Sequence, residues 1–132
     1  APYDTIVLRV NPPSIRVKGL VMDTMCAHHT MYPELPKRLS TLCSIYTRQP
    51  YYKHWSSKGN DQLFWEYNCM DSAITLECAT VLEEELGEFG ILDFYHSFVH
   101  PLIPIVIDMQ LRGVQVDEVV RQEAIVEYQQ AC

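Results

Sequence analysis

Apolar residues recur at three- and four-residue intervals over most of the chain, the spacing of one helix face. The longest such run predicts a helix over residues 61–88, with Leu63, Tyr67, Met70, Ile74, Cys78, Val81, Leu82 and Leu86 on one side. Asp61 is placed to cap it, and Gly87 or Gly90 to end it. Leu39, Leu42, Cys43 and Tyr46 repeat the spacing and predict a helix of about three turns, with Pro36 where a first turn tolerates it. Residues 3–9 read as helical and stop at Asn11-Pro12-Pro13-Ser14, because proline cannot continue a helix and Asn and Ser favour turns. Residues 15–22 (IRVKGLVM) alternate β-branched with basic residues and predict a strand or extended segment. Asp23-Thr24 then offers an N-cap to a short helix that Pro33 stops. A later helix over 94–111 is expected to bend or divide at Pro101 and Pro104 and to close at Arg112-Gly113, and Asp117 caps a last one. Residues 46–60 (YTRQPYYKHWSSKGN) are aromatic and basic without periodicity, which predicts a long surface loop of the kind that often carries function.

Composition narrows the class. With 132 residues, 48% of them apolar, the chain is long enough for one domain with a genuine core. It contains no uninterrupted apolar run of about eighteen residues and no signal-peptide pattern at its start, so a soluble, cytoplasmic protein without a membrane partner is expected. Five widely spaced cysteines without a CxxC pair read as reduced core thiols rather than a disulfide framework or a zinc knuckle. The formal charge of −7 argues against holding nucleic acid by bulk electrostatics. It leaves room for metal-dependent phosphodiester hydrolysis, which needs carboxylates in its site.

The most informative local pattern is Tyr67-Asn68-Cys69-Met70-Asp71. Spacing of i and i+4 puts phenol and carboxylate on one helix face, about a turn apart. An aspartate beside Met70, Ala73 and Ile74 is costly to bury unless it meets a cation or a donor, and a metal ion would satisfy it. Three stretches stand in order along the chain: Asp23-Thr24-Met25 with Ala27-His28-His29 and residues 32–37 (YPELPK), then residues 67–75 (YNCMDSAIT), then residues 101–117 (PLIPIVIDMQLRGVQVD). Together they resemble the 3′→5′ exonuclease domain of family A DNA polymerases, the polymerase I type and its phage relatives, and the likeness covers most of the chain.

The resemblance implies a mainly α chain with one or two short strands, a truncated part of the α/β ribonuclease H-like exonuclease fold. Residues 1–92 would be a partial exonuclease domain, and residues 93–132 the connector and the start of the polymerase thumb helix. It implies hydrolysis of 3′-terminal nucleotides from DNA, in proofreading during replication, with two Mg²⁺ or Mn²⁺ ions. Asp71 would be a direct ligand of the first ion, Tyr67 would orient the attacking water and touch the scissile phosphate, and Asp4 would hold the second ion through water. The partners implied are the single-stranded 3′ end of DNA and the remaining polymerase and exonuclease segments of the parent protein. Tyr3, Arg48, Tyr51, Tyr52 and Lys53 are the candidate DNA contacts, with Trp55 and Lys58 in the same loop, since aromatic rings stack on bases and cations meet phosphate; the equal alternative for the loop is a surface segment whose aromatics pin it to the body.

The chain departs from the family pattern in one respect. The first exonuclease motif, Asp, any residue, Glu, does not occur, and the asparagine that precedes the second motif's aspartate would lie one residue before Ala1. An internal fragment, nearly inactive alone, is therefore expected, with exposed apolar side chains where missing strands would pack. Asp4 and Asp71 are expected to converge to on the order of 10 Å, beside Tyr67. The competing reading is a non-catalytic helical scaffold or interaction module in which the Tyr67/Asp71 pattern is coincidental. His28-His29 with Cys26, Asp23 and Glu34 could be taken for a metal cluster, but adjacent helical histidines point about 100° apart, which favours a structural pair.

Overall fold

The computed structural model describes residues 2–50, 52–53 and 61–131. Tyr51, Trp55 and Lys58, three of the candidate DNA contacts, lie outside the described residues. The elements are α1 (Pro2–Val10), α2 (Thr24–Met31), α3 (Leu39–Tyr46), α4 (Asp61–Glu88), α5 (Leu92–Phe94), a π-helical turn (Tyr95–Val99), α6 (His100–Arg112) and α7 (Glu118–Ala131). The protein is mainly helical, as the periodicity predicts.

The expected strand is not formed, and no strand occurs among the described residues. Residues 15–22 run without regular secondary structure. A strand exists only through a neighbour's ladder, and here two isolated bonds tie down the segment's ends. The Ile15 N–H donates to the Leu8 carbonyl at 2.8 Å, and the His100 Nε2–H donates to the Leu20 carbonyl at 2.8 Å.

α4 organises the core. Ile74, Cys78, Leu82 and Leu86, each four residues from the next, are buried with Ala27 of α2, Leu42, Cys43 and Tyr46 of α3, and Tyr52 and Tyr95. Tyr67, Met70 and Val81, from the same predicted stripe, pack half-buried against that cluster. α2 is started by Asp23, whose carboxylate accepts the Cys26 N–H at 2.8 Å, so the predicted cap forms. Of the two glycines expected to end α4, Gly87 stays inside the helix and Gly90 ends it at a φ of +69°. The reversal at Gly90 lets the Ile91 N–H reach the Leu86 carbonyl and the Gly90 N–H the Gly87 carbonyl, both at 3.0 Å.

Beyond Gly90 the chain bends by 119°. The helix expected over 94–111 is divided N-terminal to its first proline. In the π-helical turn the His100 N–H donates to the Tyr95 carbonyl, five residues back. Pro101 has no N–H, and its ring would crowd the carbonyl four residues back; a wider turn placed just before it relieves that crowding. α6 packs on α1, with Arg9 and Asp108 paired at 2.5 Å, and Gly113 closes it at a φ of +67°. Residue 92, the expected domain boundary, lies between α4 and Tyr95, and the Tyr95 ring is fully buried in the core cluster. Asp117 caps α7, which has no buried residue.

The opposite face of α4 is mixed, with exposed Ser72, Thr80 and Glu83 alongside two large apolar side chains. Trp65 and Leu76 are 68% and 72% exposed, on the side away from Ile74 and Cys78. Among the described residues no single helix is long and apolar enough to cross a membrane.

Candidate active site around Asp71

Tyr67 and Asp71 lie one turn apart on α4, as their spacing requires, and both are half-buried. The residues that meet them come from just beyond α3. The Lys53 ammonium donates to Asp71 Oδ1 at 2.5 Å and to the Tyr67 hydroxyl at 3.0 Å. The Tyr52 hydroxyl donates to the same Oδ1. The Tyr52 and Tyr67 rings lie 5.8 Å apart, and the ammonium stands 5.0 and 4.7 Å from their centroids. Three of these four groups therefore converge on one carboxylate oxygen or on the cation bound to it, with aromatic faces lining the cation.

The cluster's electrostatics follow from partial burial. Side-chain exposure is 18% for Lys53 and 28% for Asp71. Burial opposes the Lys53 charge, but the hydrogen bonds to Asp71 and Tyr67 outweigh it, so its ammonium is held above its ordinary range. Tyr52 is 2% exposed, and burial followed by the bond to Asp71 pushes its phenol well above its ordinary value. It remains a protonated donor.

The other expected site residues are placed elsewhere. Asp4 and Tyr3 sit on α1, both exposed, and α1 packs on α6, whereas α4 packs on α2 and α3. Arg48 is exposed beyond the end of α3. Tyr52 and Lys53, expected as DNA contacts, instead make the contacts that close over Asp71, and Tyr52 belongs to the core. The signal for this was present: an aspartate on an apolar stripe needs a cation, and the neighbouring loop carries lysines. Without periodicity in that loop, nothing in the sequence selected Lys53 over Lys58.

The fit to a divalent-ion centre is poor as these residues stand. Asp71 Oδ1 already receives an ammonium and a phenol. Among the described residues no group of three or more His, Cys, Asp and Glu side chains could hold a metal ion. The histidine pair diverges, with His28 fully buried and His29 exposed. Of the cysteines, Cys43 and Cys78 are buried, Cys26 is half-buried and Cys69 is exposed, so only part of the set consists of core thiols. Burial pushes Cys26 and Cys78 each up to about 11, which keeps them as unreactive thiols.

A second polar group lies inside the molecule: His28, read from the sequence as part of a structural pair, finds a partner that the sequence did not indicate. His28 Nδ1 lies 2.6 Å from the Tyr46 hydroxyl, while the buried His28 Nε2 makes no hydrogen bond among the described residues. Burial, then the nearby Lys37 ammonium, lowers its affinity for a proton below the ordinary value of 6.5. A histidine whose folded-state pKa is depressed contributes stability that is fully present above the unfolded value and is lost as pH falls through the folded one. Urea unfolding of the wild type is therefore expected to show lower stability at about pH 5.5 than at about pH 7.5, and His28→Gln should flatten that difference. Equal slopes in the two proteins would assign the acid sensitivity to other groups.

Comparison of the chain with family models, with curated proteins and with solved structures finds no match in any of the three.

Proposed function

We propose that this chain is the part of a family A DNA polymerase's proofreading 3′→5′ exonuclease that carries the second and third exonuclease motifs. Its substrate is the single-stranded 3′ end of DNA. The observation that supports the reading best is that the Tyr67 phenol and the Asp71 carboxylate, one turn apart on α4, reach a common positive centre at 3.0 and 2.5 Å. The positive centre is the Lys53 ammonium, so the support extends only to the phenol and the carboxylate facing one common point. In this reading Mg²⁺ or Mn²⁺ belongs to the complete domain, and the described residues of this chain do not by themselves assemble a site for either ion. The chain's own contribution is positioning: Tyr67 offers a hydroxyl to water or phosphate, and Asp71 supplies the negative charge.

One observation favours a different reading. Lys53 and Tyr52 satisfy Asp71 from within the chain, as in a helical scaffold whose ion pair is structural. The two are separated by release of nucleotides from a 5′-labelled oligonucleotide. The 132-residue chain should be inert with Mg²⁺ or Mn²⁺. A longer protein that supplies the Asp-x-Glu segment should digest from the 3′ end and stop when EDTA is added. A folded but inert longer protein would leave the scaffold reading ahead, and digestion by the 132-residue chain would mean the catalytic carboxylates lie elsewhere.

A further inference from the structure

The poor fit of the Asp71 cluster to a divalent ion has a specific origin. An isolated carboxylate on a helix attracts hard cations through its oxygens and leaves them most of their waters. Here the oxygens of Asp71 and Tyr67 converge on Lys53 Nζ, a point that a hydrated cation would otherwise approach. The lysine is anchored there by more than charge. Its stem emerges beside Tyr52, whose ring is buried in the core and whose hydroxyl shares Asp71 Oδ1. The Tyr52 and Tyr67 rings line the ammonium. The aromatic faces favour a cation but give a divalent ion's water shell no acceptors.

We propose that Lys53 is the resident counter-cation of Asp71 and keeps divalent ions off this face of α4. An ammonium at 2.5 Å both cancels the attraction of the carboxylate and fills the approach to Oδ1. The inference stands on this geometry whether or not the exonuclease reading holds. If that reading does hold, it adds that Lys53 must leave Asp71 before a divalent ion can be bound there.

The test is a Mn²⁺ titration of the full 132-residue chain, followed by paramagnetic broadening of backbone amides around residue 71. Lys53→Met and Lys53→Gln remove the charge, and Lys53→Arg keeps it. The midpoint of broadening is expected to fall by about tenfold or more in the two neutral variants relative to wild type, and to stay at the wild-type value in Lys53→Arg. Adding Asp71→Asn to Lys53→Gln should abolish the broadening. Far-UV circular dichroism checks the fold, and if Lys53→Met loses helix, Lys53→Gln carries the comparison. Equal midpoints in wild type and the neutral variants would overturn the proposal, as would opening of the site by Lys53→Arg or broadening that survives Asp71→Asn.

Discussion

Asp71→Ala, introduced into a protein that carries the complete set of exonuclease carboxylates, is expected to lower release of 3′ nucleotides by on the order of 10³-fold or more, and Tyr67→Phe by roughly 10- to 100-fold. The difference in size follows from what each side chain offers. The Asp71 carboxylate supplies the negative charge that here holds the Lys53 ammonium and in the proposed reaction would hold a metal ion, and alanine removes it. The Tyr67 hydroxyl makes one hydrogen bond to the same ammonium, at 3.0 Å, and phenylalanine keeps the ring that lines it. An oxygen would be less well oriented, but the charge would remain. Single-turnover digestion of an end-labelled oligonucleotide measures both effects. Equal losses in the two variants would remove the distinction between a charge-bearing and a positioning residue. A fully active Asp71→Ala protein would exclude Asp71 from the chemistry.

Leu82→Ala is expected to cost about 2–5 kcal/mol of stability. Leu82 is fully buried in the core cluster, on the α4 stripe between Cys78 and Leu86, so truncation removes packed apolar volume and leaves a cavity. Leu76→Ala, on the same helix and six residues away, is the control. That side chain is 72% exposed, and its loss should change stability by no more than about 0.5 kcal/mol. Urea unfolding followed by circular dichroism reads both. A Leu82→Ala effect no larger than that of Leu76→Ala would mean that α4 does not pack through the Ile74, Cys78, Leu82 and Leu86 stripe.

The two variants report on opposite faces of α4. One face fills the core; the other shows Trp65 and Leu76 to solvent. Singly exposed apolar side chains are ordinary on a folded surface, so Trp65 and Leu76 do not bear on the fragment reading.

Much of the local architecture was legible in the chain because it depends on near neighbours. Helix periodicity placed α4 from Asp61 to Glu88, Asp23 capped α2, and the double proline ended α1, since each outcome needs only a few adjacent residues. The choice of Gly90 over Gly87 was already beyond that reach. Both glycines are permissive, and only the closing bonds to Leu86 and Gly87 selected one. The strand at residues 15–22 failed for a related reason. β-Branched alternation makes a segment able to extend, but a ladder needs a partner, and His100 took the Leu20 carbonyl instead.

The site divides along the same line. Sequence by itself determined that Tyr67 and Asp71 share a helix face and that Asp71 needs a positive partner, because a fixed helical rise and the cost of burying an unpaired carboxylate dictate both. Tertiary structure alone decided which partner. Lys53 is 18 residues from Asp71, in an aperiodic stretch, and reaches it only because Tyr52 is drawn into the core formed by α3 and α4. The pairing of His28 with Tyr46, also 18 residues apart, is likewise a product of two helices packing on α4. Helical periodicity encodes which face a residue occupies, whereas contact between distant segments depends on how whole faces pack, and no local pattern carries that information.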